Sequence, residues 1–210
     1  MNCDVVYCRS SQAYRCKKFF MRILGIDPGS ETTGWGVIEG DARRYHLVEC
    51  GAVSAPPGQK FPARLLRISD ALEEIIQRHK PDACALEDGF LATNVKVTLK
   101  LGQVRGVAML AAQRAALEIY EYSPRLVKQT VVGHGNAEKF QVQQMVKTLL
   151  SLPHAPEPHD VADALAVAIC HFHHACSAER IPTNDSRAAL IASLSRRRSV
   201  RPSARRRVVR

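Results

Sequence analysis

The chain predicts one α/β domain: a mixed five-stranded sheet, three antiparallel strands followed by alternating α and β units, with helices on both faces. Two patterns carry that expectation. Three adjacent stretches of strand composition fall before residue 55, and beyond them short apolar runs alternate with amphipathic helical stretches. A length of 210 residues suits one such domain with appended tails better than two domains.

The first strand runs from Arg22 to Ile26 and closes in Asp27-Pro28-Gly29-Ser30, where proline presets φ and glycine suits the turn. Thr32 to Ile38 mixes Thr, Trp, Val and Ile with Gly34 and Gly36. Tyr45 to Val53 follows after polar residues, which completes an antiparallel meander. Leu65, Ile68, Leu72 and Ile75 then recur at spacings of three and four, widened by Leu66 and Ile76, and this helix ends before Pro81. Asp82 to Glu87 is the fourth strand. It leads into a long helix from about Asn94 to Leu117, in which Gly102 and Gly106 are expected to admit close approach of another element. Glu118 to Tyr122 is the fifth strand, followed by helices near Pro124 to Val132, Glu138 to Leu150 and His159 to His173. Parallel strands need a crossover between them, which the intervening helices supply.

Composition narrows the class. Hydrophobic residues make up 46% and charged residues 24%, and no unbroken apolar stretch reaches the roughly 20 residues of a membrane span. The net charge of +10 is concentrated in the tails. Eight Arg and no acid lie between Arg196 and Arg210, and four basic residues against Asp4 lie before Met21, so the part between is close to neutral. A polybasic tail most often has nucleic acid as its anionic partner. Seven scattered Cys without a CxxC pair point to a reducing compartment, and the protein is expected to be cytoplasmic. The expected organisation is an N-terminal extension over 1–20, a folded domain over 21–176 and a basic, disordered tail over 177–210. Met21, which opens the first patterned strand, and Met1 are both open as the initiator, so residues 1–20 are either an extension or a start-site artefact.

The chemistry is expected at the strand ends, where ligands of open α/β sheets bind. Asp27 closes the first strand, and Glu87 with Asp88 closes the fourth. Asp160 and Asp163, three apart, share one face of the last helix while the apolar residues between and after them pack behind. Taken singly, Asp27 also reads as a turn residue and Asp160 as a favourable charge at a helix start. Glu87 is harder to explain that way, because it ends the apolar run Ala83-Cys84-Ala85-Leu86 beside the core, where an unpaired charge is costly. Four converging carboxylates would repel one another unless divalent cations lay between them, and hard oxygen donors suit Mg²⁺ or Mn²⁺. Two such ions about 4 Å apart can support phosphodiester hydrolysis. Cys170-His171-Phe172-His173-His174 with Cys176 has no familiar zinc-finger spacing, and zinc is disfavoured there.

Several separated blocks, in order, resemble one family. They are Ile23-Leu24-Gly25-Ile26-Asp27-Pro28-Gly29-Ser30 with Thr33-Gly34-Trp35-Gly36-Val37-Ile38, Glu87-Asp88-Gly89-Phe90, and Lys100-Leu101-Gly102-Gln103-Val104-Arg105-Gly106-Val107. Val127-Lys128-Gln129-Thr130-Val131-Val132-Gly133, Glu138-Lys139 and Asp160-Val161-Ala162-Asp163-Ala164-Leu165-Ala166 continue the series. Together they closely resemble the RuvC family of bacterial Holliday junction resolvases, from about Met21 to His173. The resemblance implies a ribonuclease H-like fold and a homodimer. It also implies two Mg²⁺ per subunit, with Mn²⁺ as the alternative, and paired nicks in opposite strands of a four-way DNA junction during recombination and repair. It assigns Asp27, Glu87, Asp160 and Asp163 as the metal-binding, catalytic acids. Lys128 and Lys139 would approach the scissile backbone, and Phe90 would be a base-stacking wedge. A RuvA–RuvB branch-migration motor is the implied partner. Two departures stand out: Asp88-Gly89 occupies positions where Gln or Glu and then an apolar residue are expected, and His159 adjoins the third acid.

From Phe90 to Leu150, eight Lys or Arg face three acids, a local basic surface consistent with phosphate binding. Two other classes of function remain open at this point. Gly25-Ile26-Asp27-Pro28-Gly29 also resembles the phosphate loop of sugar-kinase and actin-like ATPases, although the chain is short for their two lobes. A structure-selective DNA-binding protein without catalysis is the other.

Overall fold

The computed structural model describes residues 20–41, 44–56, 58–88 and 94–178, with side chains to residue 175. The N-terminal extension, the Arg-rich tail and Phe90 lie outside the described residues. Five strands, β1 (Met21–Asp27), β2 (Thr32–Gly40), β3 (Tyr45–Ser54), β4 (Ala83–Glu87) and β5 (Glu118–Tyr122), form one sheet in the order β3-β2-β1-β4-β5. The β1–β2 and β2–β3 pairs are antiparallel, whereas β1–β4 and β4–β5 are parallel. This is the expected mixed sheet, with the meander at one edge and the crossover strands at the other.

Helices α1 (Phe61–His79), α2 (Val95–Arg114), α3 (Pro124–Val132), α4 (Lys139–Leu149) and α5 (His159–Ala178) complete the domain. Strand alternation sorts the core into two layers. Leu24, Ile26, Cys84 and Leu86 face α1 and α2 through Ile68, Leu72, Val104 and Ala108. Ile23, Ala83 and Ala85 face the other way, onto Val127, Val142, Leu165 and Ile169 of the α3, α4 and α5 layer. The helix starts follow local chemistry. The Asn94 side chain accepts from the Lys96 N–H, Ser123 accepts from Leu126, and Glu138 forms a capping box with Gln141. Helix α2 stops earlier than its apolar pattern suggests, at Arg114, because Ala116 takes a positive φ of 55° and turns the chain into β5.

Helix α5 lies unusually close to the sheet. A Cβ on Gly25 would come 2.1 Å from the Ala164 carbonyl oxygen, and one on Gly34 would come 1.9 Å from that of Asp160. Hydrogen alone fits in both gaps. By contrast, nothing lies within 4 Å of a Cβ built on Gly102 or Gly106, so the expected close approach at these glycines does not occur within the chain.

Toward its C-terminal end α5 buries a polar group, His171, whose Nδ1 lies 2.8 Å from the Tyr122 hydroxyl. Burial first, and His174 second, push its pKa down to about 4. The folded chain therefore holds it neutral, while the unfolded chain protonates it from about pH 6.5 downward. Stability from this site is complete above pH 6.5 and is lost as pH falls toward 4. Chemical denaturation of the native chain should show a loss of about 2 kcal/mol from this group between pH 7.5 and pH 5, absent from His171→Phe; equal pH slopes in the two proteins would refute it. Gly25→Ala should cost about 3 kcal/mol, the upper end for overpacking, because the obstacle is backbone. An unchanged denaturation midpoint would show that α5 can lift at no cost.

Candidate active site

The parallel pairing of β1 with β4 sets the site. Ile26 is in register with Leu86, so the next residues, Asp27 and Glu87, stand side by side at the strand ends. Alternation places each two positions beyond a residue of the α5-facing layer, Gly25 and Ala85 respectively, and so directs both carboxyl groups to the face that α5 covers. The turn after Asp27 is held by the buried Thr33, whose hydroxyl donates to the Gly29 carbonyl at 3.0 Å. The close seat of α5 on Gly34 brings Asp160, in its first turn, and Asp163, one turn on, to the same end of the sheet.

The electrostatics follow from this crowding. Asp27 is pushed up to about 8, first by burial and then by Glu87, Asp163 and Asp160, while the two strand-end carboxyls share a hydrogen bond in which Asp27 donates to Glu87. Glu87 is also raised, by burial and by Asp163, with the Asp27 bond and the positive charges of Lys139 and Lys128 pulling the other way. Burial raises Asp163 against the pull of Lys139, whose Nζ lies 3.7 Å from its Oδ2. Lys139 opens α4 and is exposed; Lys128 lies on α3 and is partly buried.

Asp27, Glu87, Asp160 and Asp163 are thus brought into one electrostatic neighbourhood, with Lys128 and Lys139 beside it. As they stand, no three acid side chains among the described residues surround a single point. Asp27 and Glu87 are engaged with each other, and Asp163 faces Lys139. The donor set nonetheless suits a divalent cation: Asp27, Glu87 and Asp163 are half-buried and raised by burial and by neighbouring acids, Asp160 lies beside them, and hard carboxylate oxygens are what such an ion takes. Three Cys and His side chains of α5 make other contacts: Cys170 donates to Thr130, His171 meets Tyr122, and His173 meets Tyr45.

Two residues around the acids were not read as functional in the sequence. Asp88 continues the β4–β5 ladder by donating its N–H to the Tyr122 carbonyl at 2.7 Å. Its carboxylate faces Arg105 of α2 at 3.4 Å. The signal for Arg105 was a lone basic residue in an otherwise weakly polar helix segment, which no local pattern connects to positions 87, 88 and 121.

Known proteins resemble the chain over most of its described length. The family model described as crossover junction endodeoxyribonuclease RuvC matches residues 23–171. The crossover junction endodeoxyribonuclease RuvC of Pelotomaculum thermopropionicum is 51% identical over 154 residues, covering 73% of this chain and 94% of that protein. The protein of the same name from Chloroflexus aggregans is 49% identical over 160 residues, covering 76% and 98%. Among solved structures, T. thermophilus RuvC in complex with Holliday junction substrate superposes with a TM-score of 0.71 at 35% identity, covering 75% of this chain and 96% of that one.

The raised carboxyl groups have a measurable consequence. The fold holds a proton on Asp27 up to about pH 8 that the unfolded chain releases near 3.8, so stability from this group is present at low pH and is lost as pH rises through 8. With chelator present, Asp27→Asn should raise the melting temperature at pH 8 by more than about 3 °C and flatten its decline above pH 5. Scanning calorimetry giving a lower melting temperature for the variant at pH 8 would contradict this electrostatic account.

Proposed function

The chain belongs to the RuvC family of crossover junction endodeoxyribonucleases, and from that membership we propose that its strand-end acid cluster is the centre at which four-way DNA junctions are cut. The observation that carries the proposal is the electrostatic crowding of Asp27 by Glu87, Asp163 and Asp160 at the end of β1 and β4, with lysines alongside. The fold is the ribonuclease H-like mixed sheet, and the activity is that of a crossover junction endodeoxyribonuclease in recombination and repair. The finer statements are ours: Mg²⁺ as cofactor, two ions per subunit with Mn²⁺ able to replace them, paired symmetric nicks with 5′-phosphate and 3′-hydroxyl ends, and coupling to a RuvA–RuvB motor in the cytoplasm. No helix among the described residues is long and apolar enough to cross a membrane.

Asp27, Glu87, Asp160 and Asp163 would hold the divalent ions, which when bound supply a more acidic water and offset the charge of the leaving oxygen. The chain's own side chains do the rest. Ionisation of Asp27 and Glu87 dissolves their shared proton and turns two half-buried acids into oxygen donors. Lys139 and Lys128 supply the positive charge that lets a phosphate approach four acids. Phe90, three residues beyond Glu87, would stack on an unpaired base at the junction centre, a contact worth roughly 1 to 3 kcal/mol.

Paired cutting needs two sites related by symmetry, and α2 offers a surface for that. Val95, Leu99, Gly102, Gly106 and Leu110 fall on one helix face, all exposed. An apolar stripe broken by two glycines suits a second copy of itself, because an isologous contact presents the same face from both partners and glycine lets helices approach. The close approach that Gly102 and Gly106 do not meet within the chain is assigned to the partner protomer.

Incubation of the full chain with a synthetic mobile four-way junction and Mg²⁺ should give symmetric nicks in opposite strands. Asp27→Asn should reduce cutting by more than the roughly 100-fold typical of an outer-shell change. Undiminished cutting by the variant, or equal cutting of linear duplex by the native chain, would refute the reading.

A further inference from the structure

Glu87 is the last residue of β4, and the like charge of Asp163 presses on its side chain. A strand end under that repulsion needs support from behind. The Asp88 N–H bond to the Tyr122 carbonyl supplies one tie, and Arg105 supplies the other. From the sheet face opposite α5, Nη1 of Arg105 donates to the main-chain carbonyl of Glu87, and Nη2 pairs with Glu121 at 2.7 Å and with Asp88 at 3.4 Å. The guanidinium is largely buried, its side chain 15% exposed, and it joins α2, the end of β4 and β5 at one point. Glu121 and Asp88 are both substantially exposed, so Arg105 also neutralises two acids that would otherwise add to the charge around Glu87.

We propose that Arg105 is the positioning residue for Glu87, gripping its main-chain carbonyl so that its carboxylate stands at the height the divalent cation requires. The inference rests on the reading that the acid cluster holds such cations, but it concerns the back of β4 rather than the cluster itself. Chemistry favours arginine in this place. Its planar fork serves a carbonyl and two carboxylates at once, whereas a lysine ammonium is a single point charge on a flexible stem. Outer-shell groups of this kind act by orienting the ligand, and their loss typically costs 10- to 100-fold in metal affinity. The placement also links the site to α2: Arg105 lies beside Gly106 on the helix whose outer face is offered to the partner protomer, so the same helix that forms the dimer seam supports Glu87.

The test is Mn²⁺ binding to the full chain without DNA, followed by electron paramagnetic resonance, together with turnover on a four-way junction. Arg105→Ala should weaken Mn²⁺ binding at least tenfold and lower kcat in parallel, leaving the junction KM within about twofold. Arg105→Lys should fall between the two. Glu121→Gln alters only an exposed partner of the guanidinium, so it should fold normally and weaken Mn²⁺ binding a few-fold in the same direction. Unchanged Mn²⁺ affinity in Arg105→Ala, whatever its melting temperature, would overturn the proposal, and so would a change confined to junction KM. Should Arg105→Ala fail to fold, unchanged Mn²⁺ affinity in Glu121→Gln would overturn it instead. A native chain that binds Mn²⁺ with these dependences yet cuts no junction would contradict the functional reading and leave this one standing.

Discussion

Two carboxyl groups at the ends of neighbouring parallel strands, near enough to share a hydrogen bond, constrain nearly everything around them. Water would ionise both, but the third layer of the domain covers them, so Asp27 keeps its proton to about pH 8. The arrangement is unfavourable for the isolated fold and is the kind that a bound cation or a phosphate-facing lysine relieves. The tied turn at Thr33, the ladder bond at Asp88 and the guanidinium of Arg105 all hold backbone in place beside groups that repel.

The means of covering the pair is steric. Gly25 and Gly34 leave α5 resting on bare backbone, and the helix brings Asp160 and Asp163 with it. A side chain at either glycine would lift the acids off the sheet along with the helix, so packing in the core and charge at the surface are decided by the same contacts. The alternation of β1 and β4 agrees with this: the residues that send Leu24, Ile26 and Leu86 toward α1 and α2 leave Asp27 and Glu87 on the α5 side.

Positive charge is distributed around the cluster in two different roles. Lys139 and Lys128 lie on the α3 and α4 side, where they oppose the acids directly. Arg105 lies behind the strand and touches the backbone of Glu87 rather than its carboxylate. The first kind of charge is exposed enough to answer to a ligand; the second is enclosed and answers to the fold.

Much of this was legible without coordinates, because the signals are local. Alternation with period two and recurrence near 3.6 mark the five strands and five helices in order, and acids at Asp27 and Glu87 stand out because each ends an apolar run. The ordered blocks that resemble one family pointed to the same acids and lysines. What the tertiary structure decided is non-local. That β1 lies beside β4, across a crossover of more than fifty residues, makes neighbours of Asp27 and Glu87. Glycines in a sequence report only a missing side chain: Gly25 and Gly34 prove to touch α5, while Gly102 and Gly106 face open space. Arg105, on α2, acquires its three partners from the ends of two strands that meet the helix only in the folded chain, and no spacing along the polymer encodes a contact whose members depend on how separate layers stack.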